Sequence, residues 1–136
     1  WCGNFMGTGM TALLLRMTRI SGLSERAASL VDTKLTDTPL SILILAVFCG
    51  MLMFIGVDGF KTLSDIGRYI AVFMAVSVFI LCGFEHCIAN MFYFSLAGSW
   101  SLKMLGYLLL MTAGNALGGM LIPLVRKAVS AGSKPV

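Results

Sequence analysis

Long stretches without a charged side chain limit the possible folds of this chain more than any other feature of its sequence. Residues 38–57 and 104–125 are both uncharged, and each is about as long as the predominantly apolar stretch of about 20 residues that a helix needs to cross a bilayer. In lipid, an isolated open strand would leave its backbone polar groups without partners. We therefore predict an all-α membrane protein.

The amino-acid composition agrees with lipid as the main solvent. Hydrophobic residues make up 58% of the 136 residues and charged residues 12%, with a mean hydropathy of +0.93. A soluble domain is nearer to half apolar and a quarter charged. The net charge of +4 is small, and basic residues neither form a run nor alternate with aromatic ones. We therefore predict no nucleic-acid partner.

A motif at residues 83–91, Gly-Phe-Glu-His-Cys-Ile-Ala-Asn-Met, contains His86, the only histidine of the chain. It also contains Glu85, the only acidic residue after Asp65. Ionisable groups at membrane depth are unfavourable and tend to line a cavity or a pathway. The apolar stretches on the two sides of the motif are together too long for one straight span. We predict a helix broken around this motif, because transporters place their binding sites at such breaks.

The four cysteines all lie in apolar segments and do not form the framework of a small secreted protein. Cys82 and Cys87 flank the motif, and one interpretation of them is a metal site with His86. The interpretation that we adopt is that they are small buried hydrophobic residues. We predict no metal and no cofactor, since one histidine offers no second imidazole ligand for a haem. No serine or cysteine has a catalytic partner, so we predict that the protein is not an enzyme.

Two Gly-Asn-x-x-Gly patterns lie in different apolar segments, at residues 3–7 and 114–118. One interpretation is chance. The other is an inverted repeat, in which the chain holds the last helix of one repeat and three helices of the next. The chain starts with Trp1 inside an apolar stretch, and we interpret it as part of a longer protein. Basic residues divide five against five between the two sides, so charge does not set the orientation.

The motif at residues 83–91, together with Gly-Asn-Ala-Leu-Gly-Gly at residues 114–119, resembles the signature of the formate/nitrite transporter family. The resemblance covers nearly the whole chain and about the second half of a typical member. It implies an aquaporin-like bundle of inverted repeats with helices broken at mid-membrane, assembled as a homopentamer. It also implies a multi-pass protein of the bacterial cytoplasmic membrane, surrounded by membrane lipid. Each protomer would have its own pore for small monovalent anions such as formate, nitrite or hydrosulfide.

This resemblance divides the chain into six segments. They are the end of transmembrane helix three (1–17), an extracytoplasmic connection (18–37), transmembrane helix four (38–58), a broken transmembrane helix five with the motif (66–97), transmembrane helix six (102–127) and a cytoplasmic tail (128–136). We predict that the connection is exposed to solvent, with a short surface helix at 24–31. Asp37-Thr38-Pro39 is typical of a helix start, with Asp or Thr as the cap.

The resemblance also implies roles for individual residues. His86 corresponds to the central pore histidine, and Phe79, one heptad earlier, to a hydrophobic constriction. Asn4 and Asn115 correspond to polar residues that support the histidine, and Lys34 to a positively charged vestibule position. Each residue also has a plainer interpretation that does not need the family. His86 would be an interior histidine with satisfied hydrogen bonds, and Phe79 would be part of the core packing. The two asparagines would form hydrogen bonds between helices, and Lys34 would be a solvated charge. We predict structural roles for Gly83, Glu85, Asn90, Gly114 and Gly118.

Two of these structural roles follow from helix geometry. On a regular helix Glu85 would point about 100 degrees away from His86, so we expect it to pair with backbone or with a neighbouring helix. Asn90 lies four residues after His86 and would share its face. It would then line a pore or form hydrogen bonds between helices, and we expect the second.

The predicted function is a channel for small monovalent anions. Removing water from an anion in a narrow apolar constriction costs several kcal/mol or more. Three devices would lower this barrier: a positive vestibule at Lys34, the amide donors of Asn4 and Asn115, and a hydrogen bond or a proton from His86. The sequence leaves open which of these His86 provides. The alternative function is a non-conducting membrane scaffold or subunit of a larger complex, in which Gly-x-x-x-Gly pairs serve assembly.

Overall fold

The structure is a computed structural model that describes residues 1–20 and 22–132. Within these residues the chain is helical and has no strand, which confirms the all-α part of the predicted fold. The helices in chain order are α1 (Cys2–Arg16), α2 (Leu23–Thr36), α3 (Pro39–Thr62), α4 (Asp65–Leu81), α5 (Cys87–Ala97) and α6 (Leu102–Gly132).

The contact between α3 and α6 is the most extensive between any two of the described helices. The two backbones approach closely because glycine stands at the points of contact. A Cβ atom on Gly118 would overlap the backbone of Val47, and a Cβ atom on Gly114 would lie 2.6 Å from Cβ of Ala46. Small residues allow this kind of close packing between membrane helices. The pair α3–α6 packs against α4 and, less extensively, against α5, whereas α1 and α2 pack mainly against α5.

Helix α3 begins where its sequence predicts. The side chain of Thr38 accepts a hydrogen bond from the backbone N–H of Ser41 at 3.2 Å, and Pro39 occupies the first turn. Oδ2 of Asp37 also accepts a hydrogen bond from the hydroxyl of Ser41 at 2.6 Å. Both candidate cap residues thus take part in the helix start, which confirms this prediction.

The connection between α1 and α3 contributes to the core, which the sequence did not predict. Its helix α2 runs over Leu23–Thr36 instead of 24–31. Ala27 and Val31 lie four residues apart on one face and are only 3% and 2% exposed. Val31 packs in one cluster with Ile42, Met91, Phe94, Leu108 and Met111. The prediction of a solvent-exposed connection was wrong for this face, because α2 packs against α5.

Helical structure stops at the motif. Helix α4 ends at Leu81, residues 82–86 are not helical, and α5 begins at Cys87. Gly83 has a φ angle of 67°, in the left-handed region that glycine enters without the steric penalty of a Cβ atom. That α4 and α5 are the two halves of one broken membrane helix stays a prediction.

Helix α6 is longer than predicted. The sequence placed its end at residue 127, but it continues to Gly132. Arg126 and Lys127 end the uncharged stretch, but a charged side chain does not interrupt backbone hydrogen bonding. Residues 128–132 of the predicted tail are therefore helical, and residues 133–136 lie outside the described part of the chain.

Two helices, α3 and α6, are long enough and apolar enough to cross a membrane among the residues that the structure describes. Only 28% and 22% of the residues in their apolar windows are buried. The core helix of a soluble protein would be mostly covered by its own chain. Helix α4 exposes large apolar side chains as well, among them Phe73 at 69% and Leu81 at 85%. Such uncovered apolar surface is unfavourable in water and agrees with a lipid surround.

Candidate functional site

His86 occupies the position that precedes α5 and caps its first turn. Its Nδ1 accepts a hydrogen bond from the backbone N–H of Ala89 at 3.3 Å. In a neutral imidazole with Nδ1 as acceptor, Nε2 carries the hydrogen and is a donor. The ring lies against Phe79 of α4, with ring centroids 5.5 Å apart. The structure therefore brings together the predicted pore histidine and the predicted constriction residue.

Two cavities share His86 as a lining residue. The first, which we name the Lys34 cavity, has a volume of about 260 Å³, and Lys34, Phe79, His86, Asn90 and Tyr93 are among its lining residues. The second, which we name the Asn115 cavity, has a volume of about 350 Å³, and Gly50, Phe54, His86, Cys87 and Asn115 are among its lining residues. His86 is the residue that both linings contain. A path from one cavity to the other would pass this imidazole.

Lys34 and Glu85 form an ion pair at the side of the Lys34 cavity. Nζ of Lys34 lies 2.7 Å from both carboxylate oxygens of Glu85. Their side chains are 15% and 4% exposed, and buried charges of this kind need a close partner. The predicted pairing of Glu85 with a neighbouring helix thus has a specific partner, Lys34 of α2. The vestibule charge predicted at Lys34 is correspondingly balanced by a carboxylate.

Asn90 completes this network from within its own segment. Its Nδ2 donates to Oε2 of Glu85 at 2.8 Å and to the carbonyl oxygen of His86 at 2.9 Å. We expected Asn90 to form hydrogen bonds to another helix. It instead bonds to residues 85 and 86, which lie within reach because they are not helical. Its Oδ1 is buried and has no partner among the described residues.

Asn115 of α6 ties the motif to the α3–α6 pair. Its Nδ2 donates to the carbonyl oxygens of Ala46 at 2.8 Å and Glu85 at 2.7 Å, and its Oδ1 accepts from the N–H of Cys87 at 2.8 Å. Both N–H donors and the acceptor are thus used by the protein itself. Asn115 positions the peptide on each side of His86, and it has no spare donor for an anion.

Asn4 does not reach this site in the described part of the chain. It lies exposed on α1 and lines neither cavity. Conversely, Tyr93 and Phe54 line the cavities and were not predicted as site residues. Tyr93 lies seven residues after His86, as Phe79 lies seven before it, and this heptad spacing was the signal that could have identified it. Phe54 carries no comparable signal.

This chain is similar to known proteins in both its sequence and its fold. Residues 1–128 match the family model described as "Formate/nitrite transporter", and the chain therefore belongs to the formate/nitrite transporter family. It is 27% identical over 139 residues to a "Formate-nitrite transporter" of Plasmodium knowlesi (strain H), covering 88% of this chain and 44% of that protein. The fold is similar to that of a solved "FNT family ion channel", with a TM-score of 0.73 and 24% identity over 90% of this chain and 53% of that one.

These comparisons confirm the resemblance that the two sequence motifs indicated. The chain spans about half the length of the relatives that it matches. Membership of this family and the two apolar helices α3 and α6 agree that this is a membrane protein. Within the described residues, no group of three or more His, Cys, Asp or Glu side chains could hold a metal ion.

Proposed function

We propose that the full-length protein is a channel for small monovalent anions, such as formate, nitrite or hydrosulfide, and that His86 lies at the centre of its pore. The observation that carries this proposal is the position of the His86 imidazole between two cavities. Among the residues that the structure describes, no other charged or titratable side chain lines both of them. In this proposal α4 and α5 are the two halves of one broken membrane helix, and the cavities are its two approaches.

Three groups of residues were predicted to lower the desolvation barrier for an anion, and their contacts favour His86 over the two asparagines. Asn115 has both of its donors occupied, and Asn4 lies outside the cavities. His86 is thus left as the donor that replaces water around an anion between the cavities, through Nε2–H. A hydrogen bond to a charged group contributes about 1.5–3 kcal/mol, which offsets part of the desolvation penalty.

Lys34 is proposed to attract the anion to the Lys34 cavity even though Glu85 balances its charge. An ammonium group has three N–H donors, and the carboxylate of Glu85 takes two of them. One donor remains for a ligand in the cavity that Lys34 lines. The arrangement offers a donor to a small anion without a free positive charge that would hold it tightly, so the anion can also leave.

The remaining predicted features belong to this proposal. They are the homopentamer, the inverted repeat, the contribution of the rest of the protein to each pore, and the location in a bacterial cytoplasmic membrane. The competing function is the non-conducting scaffold. It draws support from the fact that Glu85 and Asn115 already have internal partners, as purely structural residues do.

The test is anion flux into liposomes that contain the full-length protein, compared for formate, nitrite and hydrosulfide between about pH 5 and 8. We expect His86→Ala to lower formate flux about tenfold or more, because a charge-assisted hydrogen bond is lost. Cys82→Ala is the matched control: Cys82 is exposed, lies four residues from His86 and lines neither cavity. His86→Gln keeps a donor but cannot titrate, so it separates a hydrogen bond from proton transfer.

Two outcomes would contradict the proposal. One is the absence of flux of all three anions through the natural protein, which would favour the scaffold. The other is unchanged flux and pH response in an assembled His86→Ala protein. The second result would make His86 a structural residue, whatever path the anions take.

A further inference from the structure

A third cavity lies apart from His86, where the C-terminal ends of α1 and α5 meet. It has a volume of about 320 Å³ and is lined by Phe5, Gly9, Leu13 and Arg16 of α1, by Ser95 of α5, and by Gly98 and Trp100 just after α5. Arg16 is the first charged residue after the uncharged residues 1–15. The cavity thus has one cationic side chain, Arg16, and a wall that is otherwise apolar except for the hydroxyl of Ser95.

The polar groups at the charged end are free to bind a ligand. Among the residues that the structure describes, neither the Arg16 guanidinium nor the Trp100 indole N–H has a hydrogen-bond or ion-pair partner. The Trp100 ring is held in place by Phe5, at 5.2 Å between ring centroids, and by Phe94, at 5.8 Å. An unpaired arginine is suited to a phosphate group, since its planar guanidinium forms bidentate hydrogen bonds to phosphate oxygens.

The apolar part of the cavity forms a groove along one face of α1, from Leu13 to Phe5. Gly9 has no side chain, so the groove stays open beside Ser95 of α5. Leu13 is 61% exposed and forms the outer wall.

We propose that this cavity binds an anionic phospholipid, with its headgroup phosphate on Arg16 and one acyl chain along Leu13, Gly9 and Phe5. The position of Arg16 near two helix C-termini is in itself favourable for a cation, but this explains the charge and not the open groove beneath it. The proposal goes beyond anion transport and does not depend on it.

The first test measures lipid binding to the detergent-purified full-length protein by native mass spectrometry, with phosphatidylglycerol as the probe and phosphatidylcholine as the neutral comparison. We expect Arg16→Gln to bind phosphatidylglycerol about fivefold more weakly, because one basic side chain near an anionic headgroup is lost. Arg19→Gln is the matched control, since Arg19 is exposed nearby and does not line the cavity. Arg16→Lys keeps the charge and is expected to keep most of the binding.

A second pair of variants tests the apolar groove. Gly9→Leu should fill the groove and lower phosphatidylglycerol binding, because the nearest atom to a Cβ there is 3.8 Å away and the protein itself has room for the side chain. Gly106→Leu is its control, because Gly106 faces open space on α6. Equal losses in Arg16→Gln and Arg19→Gln would overturn the proposal, as would unchanged binding in both Arg16→Gln and Gly9→Leu.

A photoreactive amino acid in place of Leu13 shows what occupies the groove in the membrane. We expect cross-links to phospholipid in vesicles that contain phosphatidylglycerol. Cross-links to polypeptide instead, either from another part of the same protein or from a second copy, would overturn the proposal. This readout does not need a variant that weakens the fold, and anion flux does not enter it.

Discussion

Helices α1 and α6 carry the same Gly-Asn-x-x-Gly pattern, but their surroundings in this structure are opposite. Gly114 and Gly118 are pressed against α3, whereas Gly3 and Gly7 have no atom within 4 Å of where a Cβ would lie. Asn115 makes three hydrogen bonds through its side chain, and Asn4 is exposed. The pattern therefore makes close helix packing possible, but the contact forms only where a neighbouring helix is present.

The proposed inverted repeat, if it exists, predicts what covers α1 in a full-length protein. If α1 and α6 are equivalent, a helix of the remaining sequence packs on Gly3 and Gly7 as α3 packs on Gly114 and Gly118. If the pattern is a coincidence, the face of α1 stays insensitive to substitution. Matched substitutions in the two helices can separate these cases.

The largest effect is expected at the glycines. Gly118→Val should destabilise the protein by about 3 kcal/mol, since its side chain would overlap the backbone of α3 and a change of rotamer cannot relieve that overlap. We expect Gly7→Val to be similarly damaging in the full-length protein. The measurement is the yield and thermal midpoint of the assembled protein in detergent.

A tolerant Gly7→Val beside a damaging Gly118→Val would break the equivalence of α1 and α6. The Gly106→Leu variant controls for a general effect of a larger side chain on a membrane helix, because Gly106 of α6 has open space beside it.

The next effect is expected at the asparagines. Asn115→Ala should cost about 2 kcal/mol, because the carbonyl of Glu85 and the N–H of Cys87 lie in the non-helical segment and lose their partner. Losing the hydrogen bond to the carbonyl of Ala46 should cost less, because Ala46 lies within α3 and helical backbone bonding remains available to that carbonyl. Formate flux should fall as well, since His86 lies between the two residues that Asn115 holds.

Asn4→Ala is the matched change in α1. Equivalence of the helices predicts a comparable loss of thermal stability and flux in the full-length protein. A fall in both quantities for Asn115→Ala alone would mean that only α6 uses its asparagine in this way.

The smallest effect is expected at Arg126, in the C-terminal part of α6. Nη1 of Arg126 lies 2.7 Å from Oδ2 of Asp58, and the guanidinium lies 5.6 Å from the centre of the Phe54 ring. The arginine side chain is 62% exposed, so Arg126→Gln should change stability by only about 0–1 kcal/mol. Phe54 lines the Asn115 cavity. A small change in formate flux through Arg126→Gln, without a change in its thermal midpoint, would indicate that Arg126 acts through the position of Phe54 and not through stability.

Arg16 provides the contrast at the end of α1, since it has no carboxylate partner in the described residues. Arg16→Gln should leave thermal stability unchanged in phosphatidylcholine and lower it only in membranes with phosphatidylglycerol. An Arg126→Gln effect that depended on the lipid in the same way would remove this distinction between the two arginines.

Local signals in the sequence were sufficient for some parts of the fold. The start of α3 follows from Asp37-Thr38-Pro39, because capping involves residues only a few positions apart. The interruption at Gly83 was likewise visible as a polar motif inside apolar sequence. The motifs also identified the family, which the comparison then confirmed.

The partners within the site could not be predicted from local signals. Lys34 and Glu85 are 51 positions apart, and Asn115 lies 69 positions from Ala46. Such pairs depend on how helices pack, which hydrophobic periodicity does not specify. The buried face of α2 was missed for the same reason: Ala27 and Val31 look unremarkable among the charged residues that surround them.

The hydrogen bonds of Asn115 have a mechanical consequence. One amide holds the peptide just before His86, the peptide just after it and a carbonyl of α3. Because these hydrogen bonds hold the segment on both sides of His86 to the packed pair α3–α6, we expect its backbone to move only when the helices move. Side chains reorient in picoseconds to nanoseconds, whereas movement of packed helices takes microseconds or longer. We therefore expect rapid changes in the space beside His86 to come from side chains such as Phe79, and not from the backbone around the imidazole.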